Sequence, residues 1–167
     1  AAKGRPIHVP QGRGNCVVGT ALTYNTTTAT GGPLLRGAGR YNTVFDNRVA
    51  NGCMLTLQST VSNQFQISAR LQDFGIITTT SPAASDGICI KGVFQGVIAN
   101  SRISGLTGDG IQIDVDIGDA DGANQITLTG NRIENNTGFG VLVETTGTAV
   151  ENSFLRMTDN FIQNNVA

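Results

Sequence analysis

The sequence predicts an all-β chain wound into a single parallel β-helix of about five to six coils, and three observations carry that prediction. First, a glycine-led phrase recurs as Asp86-Gly87-Ile88-Cys89-Ile90, Asp109-Gly110-Ile111-Gln112-Ile113 and Phe139-Gly140-Val141-Leu142-Val143. Second, Asn100-Ser101-Arg102-Ile103, Asn131-Arg132-Ile133 and Asn160-Phe161-Ile162 set their isoleucines 30 and then 29 residues apart. Ile76 fits 27 residues before Ile103, and Val44-Phe45 fits one step earlier still. Third, no stretch places apolar residues at the three- and four-residue spacing of an amphipathic helix, while 22 glycines punctuate short β-type runs.

Taken in order, the coils fall into three zones of one domain. Residues 1–45 are the least periodic and read as an irregular N-terminal coil or cap, with a short extended run at Pro6-Ile7-His8-Val9-Pro10 and a loop at Thr26-Thr27-Thr28 and Gly31-Gly32-Pro33. Residues 46–85 form a transitional coil, with strands at Met54 to Leu57 and Leu71 to Ile76. From Asp86 to Ala167 the repeat is regular, and a further Gly-Val-Leu-Val strand is due after Ala167. Either more chain or another copy or partner is therefore expected to cover that end. Within a run the side chains alternate: Ile111, Ile113, Val115 and Ile117 point one way, Gln112, Asp114 and Asp116 the other. The first set is expected to fill the solenoid and the second to meet solvent.

Composition narrows the function. A net charge of −1 gives no electrostatic case for nucleic acid. No apolar run approaches the roughly 18 residues of a membrane span, so no insertion is expected. The three cysteines, Cys16, Cys53 and Cys89, read as small buried or half-buried thiols, because the alignment offsets Cys53 from Cys89 by three residues.

Residues Gly4 to Gly12, then Leu35-Arg36-Gly37-Ala38-Gly39 with Thr43-Val44-Phe45, then the Asp-Gly-Ile-x-Ile and Asn-x-Ile coils, resemble the opening coils of the pectate-lyase superfamily. More narrowly, they are similar to the right-handed, single-stranded β-helices of phage tailspikes and capsule depolymerases. The resemblance implies a right-handed fold, a place on a virion tail or outside the cell, a homotrimer or a longer β-helix of which this chain supplies a part, and a polysaccharide bound or cleaved along the stack. It transfers no catalytic residue. The only histidine, His8, lies outside the regular coils, and neither the histidine-glycine pair of polygalacturonase-like members nor the calcium and arginine motifs of pectate lyases are found.

The candidate site must then come from the residues themselves. Asp109, Asp114, Asp116, Asp119 and Asp121 crowd into one stretch. On a strand Asp114 and Asp116 stand roughly 6.5 to 7 Å apart, at the lower end of the acid-to-base separation of an inverting glycosidase. One coil on, Glu144 aligns with Asp114 at roughly 4.8 Å, with Lys91 and then Gln58 on the other side. Like charges so close push one pKa upward, as a general acid requires, so Asp114, Asp116 and Glu144 are the catalytic candidates, with Gln58, Lys91 and Gln112 beside them as substrate contacts. The same column also reads as a carbohydrate or cation contact, or as a cross-strand ion pair on an ordinary wet face. No cofactor is expected, although Asp114, Asp116, Asp119 and Asp121 offer a weak calcium alternative. Arg102 and Arg132, stacked with Phe161 next, form either a ridge for acidic sugars or a solvated face. A non-catalytic module of a fibre or tail is the alternative function.

Overall fold

The computed structural model describes residues 7–12, 14–26, 34–59, 69–91, 93, 95–114, 125–144 and 154–166. Their strands are all parallel and form three sheets that the chain visits in rotation. Sheet A contains Ile7–His8, Leu34–Arg36, Ala69–Gln72, Gly96–Ala99, Ile126–Thr129 and Leu155–Thr158. Sheet B contains Cys16–Val18, Val44–Asn47, Gly75–Ile77, Arg102–Ser104, Arg132–Glu134 and Phe161–Gln163. Sheet C contains Leu22–Thr26, Gly52–Ser59, Ser85–Lys91, Ile111–Asp114 and Val141–Glu144. The winding thus completes five coils and adds two strands of a sixth, and no helix occurs among the described residues.

The core is a set of straight apolar rows, because in-register parallel strands place equivalent residues on top of one another at about 4.8 Å. In sheet B the row runs Cys16, Phe45, Ile76, Ile103, Ile133, Ile162. In sheet A it runs Ile7, Leu35, Leu71, Ile98, Leu128, Met157. Sheet C adds Leu55, Ile88, Ile111 and Val141, and beside them Leu57, Ile90, Ile113 and Val143. Central members of these rows are fully buried, whereas Ile7, Met157 and Ile162 at the ends stay exposed. Burial within a row is therefore supplied mostly by the coils above and below.

The corners account for the polar half of the repeat. Between sheets A and B one residue per coil turns through the left-handed region: Asp73 at φ 62°, Asn100 at 51°, Gly130 at 64° and Asp159 at 56°. Short polar side chains and glycine tolerate that conformation best. Just beyond it Asn131 and Asn160 bond along the stack: Ser101 N–H donates to Asn131 Oδ1, and Asn131 N–H donates to Asn160 Oδ1, each at 3.0 Å. Asn136 and Asn165 repeat the device at the next corner, where Leu106 and Asn136 N–H donate to them. The asparagine ladders are structural.

The recurring glycines mark the corner that leads into sheet C. Ile111 N–H donates to Gly140 O at 3.0 Å, so consecutive coils touch backbone to backbone there. A Cβ on Gly110 would lie 2.6 Å from that same oxygen, which no side chain can accept. This corner also corrects the cysteine reading. Cys53 pairs in register with Asp86 and Thr56 with Cys89, as the three-residue offset requires. Yet Met54 and Leu55, adjacent in sequence, both face the interior, so the strand turns between them instead of running straight. The turn brings the Cα atoms of Cys53 and Cys89 to 5.9 Å, and the two residues are joined by a disulfide. Cys16 is free and exposed.

Candidate functional site

Sheet C carries the column that the sequence predicts. Gln58 pairs with Lys91, Lys91 with Asp114, and Asp114 with Glu144. Two positions back, Thr56, Cys89, Gln112 and Leu142 form a parallel column on the same outward side. Asp114, however, is only 3% exposed, so it does not meet solvent as the strand alternation predicts. Alternation fixes the side of the strand on which a residue lies, but not whether other parts of the chain cover that side. Val115, Asp116, Ile117, Asp119 and Asp121 lie outside the described residues, and with them the Asp114 and Asp116 spacing and the calcium alternative. Among the described residues no group of histidine, cysteine, aspartate and glutamate is placed to hold a metal ion.

The structure brings a different carboxyl group to this face. Asp86 stands at the corner before Ile88, and its Oδ1 accepts the Asp109 N–H at 2.7 Å. Asp109 repeats the arrangement, accepting the Phe139 N–H at 2.7 Å. Burial pushes the Asp86 carboxyl above its usual range; the Asp109 N–H pulls it back in part, and the negative charges of Asp109 and Glu144 raise it further. Glu144 in turn accepts a hydrogen bond of 2.6 Å from Gln112 Nε2. Only the nitrogen of that amide can donate to a carboxylate, which turns Gln112 Oε1 toward the disulfide, 3.0 Å from Cys89 Sγ. Amide and carboxylate are therefore hydrogen-bonded on this face, with the disulfide lying beside them and a carboxyl of raised pKa, Asp86, close enough to feel Glu144.

Asp86 was legible in one respect. It occupies the same place before glycine as Asp109, so two coils repeat a carboxyl group at one corner. What spacing does not convey is that the fold brings Asp86 within electrostatic reach of Glu144.

Arg102 and Arg132 stand apart from this group, on the outer face of sheet B, paired with each other and then with Phe161. Glu134 serves both: its Oε1 accepts Arg102 Nε at 3.2 Å and its Oε2 lies 2.8 Å from Arg132 Nη2. The Arg132 hydrogen bond, opposed by burial and assisted by Arg102, holds the Glu134 carboxyl below its usual range. Asp46 is similar. Burial raises it, but hydrogen bonds from Thr79 and Arg48 outweigh burial and leave it lowered. Groups with lowered folded pKa values add stability above their unfolded values and lose it as pH falls through the folded ones. Asp86, being raised, contributes in the opposite sense and loses its share as pH rises. Urea midpoints are therefore expected to fall as pH drops below the ordinary carboxylate range and through the lowered values of Asp46 and Glu134. An Asp46→Asn, Glu134→Gln double variant should flatten that fall.

Residues 7–167 match the family model described as right handed beta helix region. The chain belongs to the right-handed β-helix family. No curated protein and no solved structure matches it. Membership in the right-handed β-helix family fixes the architecture and the hand of the coil; chemistry on such a fold belongs to the side chains of its outer faces.

Proposed function

We propose that this right-handed β-helix recognises a polysaccharide laid along the outer face of sheet C, and that Asp86 and Glu144 form the pair with which it cleaves a glycosidic bond. The observation that carries the reading is a carboxyl group held up in pKa by burial, Asp86, influenced by a second one, Glu144, that the Gln112 amide holds by a hydrogen bond. Glycoside hydrolysis needs such a difference, one group keeping its proton for the leaving oxygen and the other ionised. Gln58, Lys91 and Gln112 supply donors on successive rungs, so a linear polymer meets a repeating row of partners. Asp114 acts here as a buried neighbour of the pair. The resemblance to tailspikes and depolymerases, the disulfide and its fit to an oxidising compartment support a role at a virion tail or outside the cell. Assembly as a homotrimer or within a longer β-helix belongs to the same reading.

Purified capsular and O-chain polysaccharides, incubated with the protein and sized by gel filtration, test it. The wild type is expected to shorten one of them, with a rate that falls as pH rises through the Asp86 value. Asp86→Asn and Glu144→Gln are expected to slow cleavage by about 10²–10⁴-fold while leaving binding in place. Full activity in both variants would remove the pair from the chemistry.

A second reading, a non-catalytic module of a fibre or tail, is favoured by the apolar side chains Leu155, Met157 and Ile162 that stay exposed on the last described coil. Light scattering separates the two: assembly growing with concentration supports the module, and a monodisperse monomer contradicts it.

A further inference from the structure

The outer face of sheet B carries a feature that the reading above does not use. Tyr41, Arg102, Arg132 and Phe161 follow one another along the axis as ring, guanidinium, guanidinium, ring. Arg102 lies 5.7 Å from the centre of the Tyr41 ring and Arg132 lies 4.9 Å from that of Phe161. Arg40 flanks the other side of Tyr41 at 5.8 Å. The sequence prepares the stack in two ways. The position before each row isoleucine is Arg102, Arg132 and Phe161 in successive coils. In the preceding coil it is Gly75, where a Cβ would lie 2.5 Å from Arg40 O, so only glycine lets the Arg40 and Tyr41 segment close over that place.

Two guanidinium groups one rung apart repel each other unless a counter-charge lies between them. Glu134 provides it, but one carboxylate shared by two arginines leaves a net positive charge, and Arg40 adds another. The planes are fixed by Glu134 and by the rings, so little side-chain freedom is lost when a ligand arrives. The surface is open: Tyr41 is 61% and Phe161 46% exposed. Arg132 Nε is buried without a hydrogen-bond partner in the protein. The stack therefore combines flat faces for sugar rings with fixed, incompletely neutralised donor forks for an oxyanion.

We infer that the Tyr41, Arg102, Arg132 and Phe161 ridge is a second carbohydrate site, selective for acidic glycans whose carboxylate or sulfate groups take the guanidinium edges. It rests on the proposed polysaccharide recognition and adds the charge of the polymer and the face that reads it. Nucleic acid shares the anionic chemistry but not the sugar acids, and serves as a competitor in the test.

The experiment measures binding of alginate, dextran sulfate, neutral dextran and single-stranded DNA by calorimetry at low and high salt. Alginate or dextran sulfate is expected to bind well above dextran and DNA, and to weaken as salt rises; which of the two binds identifies carboxylate or sulfate. Arg132→Gln is expected to weaken binding by about tenfold or more. Tyr41→Ala, which trims only an exposed ring, should weaken it too and guards against a folding defect in the arginine variant. The inference is overturned if neither charged glycan exceeds dextran, if DNA binds more tightly than both, or if Arg132→Gln and Tyr41→Ala bind like the wild type. Glu144→Gln separates the two sites: it should stop cleavage on sheet C and leave ridge binding unchanged, whereas cleavage without any charged-glycan preference removes the ridge alone.

Discussion

Ile103→Ala is expected to lower the unfolding free energy by about 3–5 kcal/mol in urea titrations. Ile103 is fully buried in the middle of the sheet B row, with Ile76 on one side and Ile133 on the other. Deleting its outer carbons opens a gap that neither neighbour can close without leaving its own rung, so the loss of transfer free energy and the cavity both count. Ile162 holds the same place two rungs on, yet it is exposed. Ile162→Ala is expected to cost less than about 1 kcal/mol. Equal losses at the two positions would mean that burial does not come from the stacking of coils.

Reduction of the Cys53–Cys89 bridge is the second large effect. The bridge spans 36 residues of sequence, and the chain-entropy relation for a loop of that size gives about 4 kcal/mol. A Cys53→Ser, Cys89→Ser variant should show a similar loss in urea. The functional consequence follows from Gln112, whose oxygen rests against Cys89 Sγ and whose nitrogen holds Glu144. A bonded sulfur carries no hydrogen, whereas the reduced Cys89 thiol can donate to Gln112 Oε1, so the amide keeps its bond to Glu144 and glycan cleavage is expected to persist on reduction wherever the protein is still folded. Unchanged stability after complete reduction would contradict the first part, and cleavage lost in the reduced but still folded protein would contradict the second.

Much of this architecture is legible in the sequence because a parallel stack turns a period directly into contacts. Isoleucines 103, 133 and 162 are neighbours on one row for the same reason that they sit at a constant interval. The Gln58, Lys91, Asp114, Glu144 column, the Arg102 and Arg132 pair and the asparagine ladders follow from the same registration. What the period lacks is the angle at each corner and the cover over each face. Cys53 and Cys89 are three residues out of register on a straight ladder but meet where the chain turns at Met54. Asp114 is on the predicted side of its strand and is buried all the same. Asp86 lies outside the strand alternation used to choose the acidic residues, and only the folded corner brings it under the influence of Glu144.

Hydrogen exchange in the presence of a capsular or O-chain polysaccharide that the protein shortens tests the glycan-binding face most directly, with Glu144→Gln used to hold the polymer intact. The account predicts new protection in the three peptides that contain Lys91, Gln112 and residue 144 together, since these positions are distant in sequence and adjacent on one face. Protection confined to sheet A, or no change in any of the three, would contradict it.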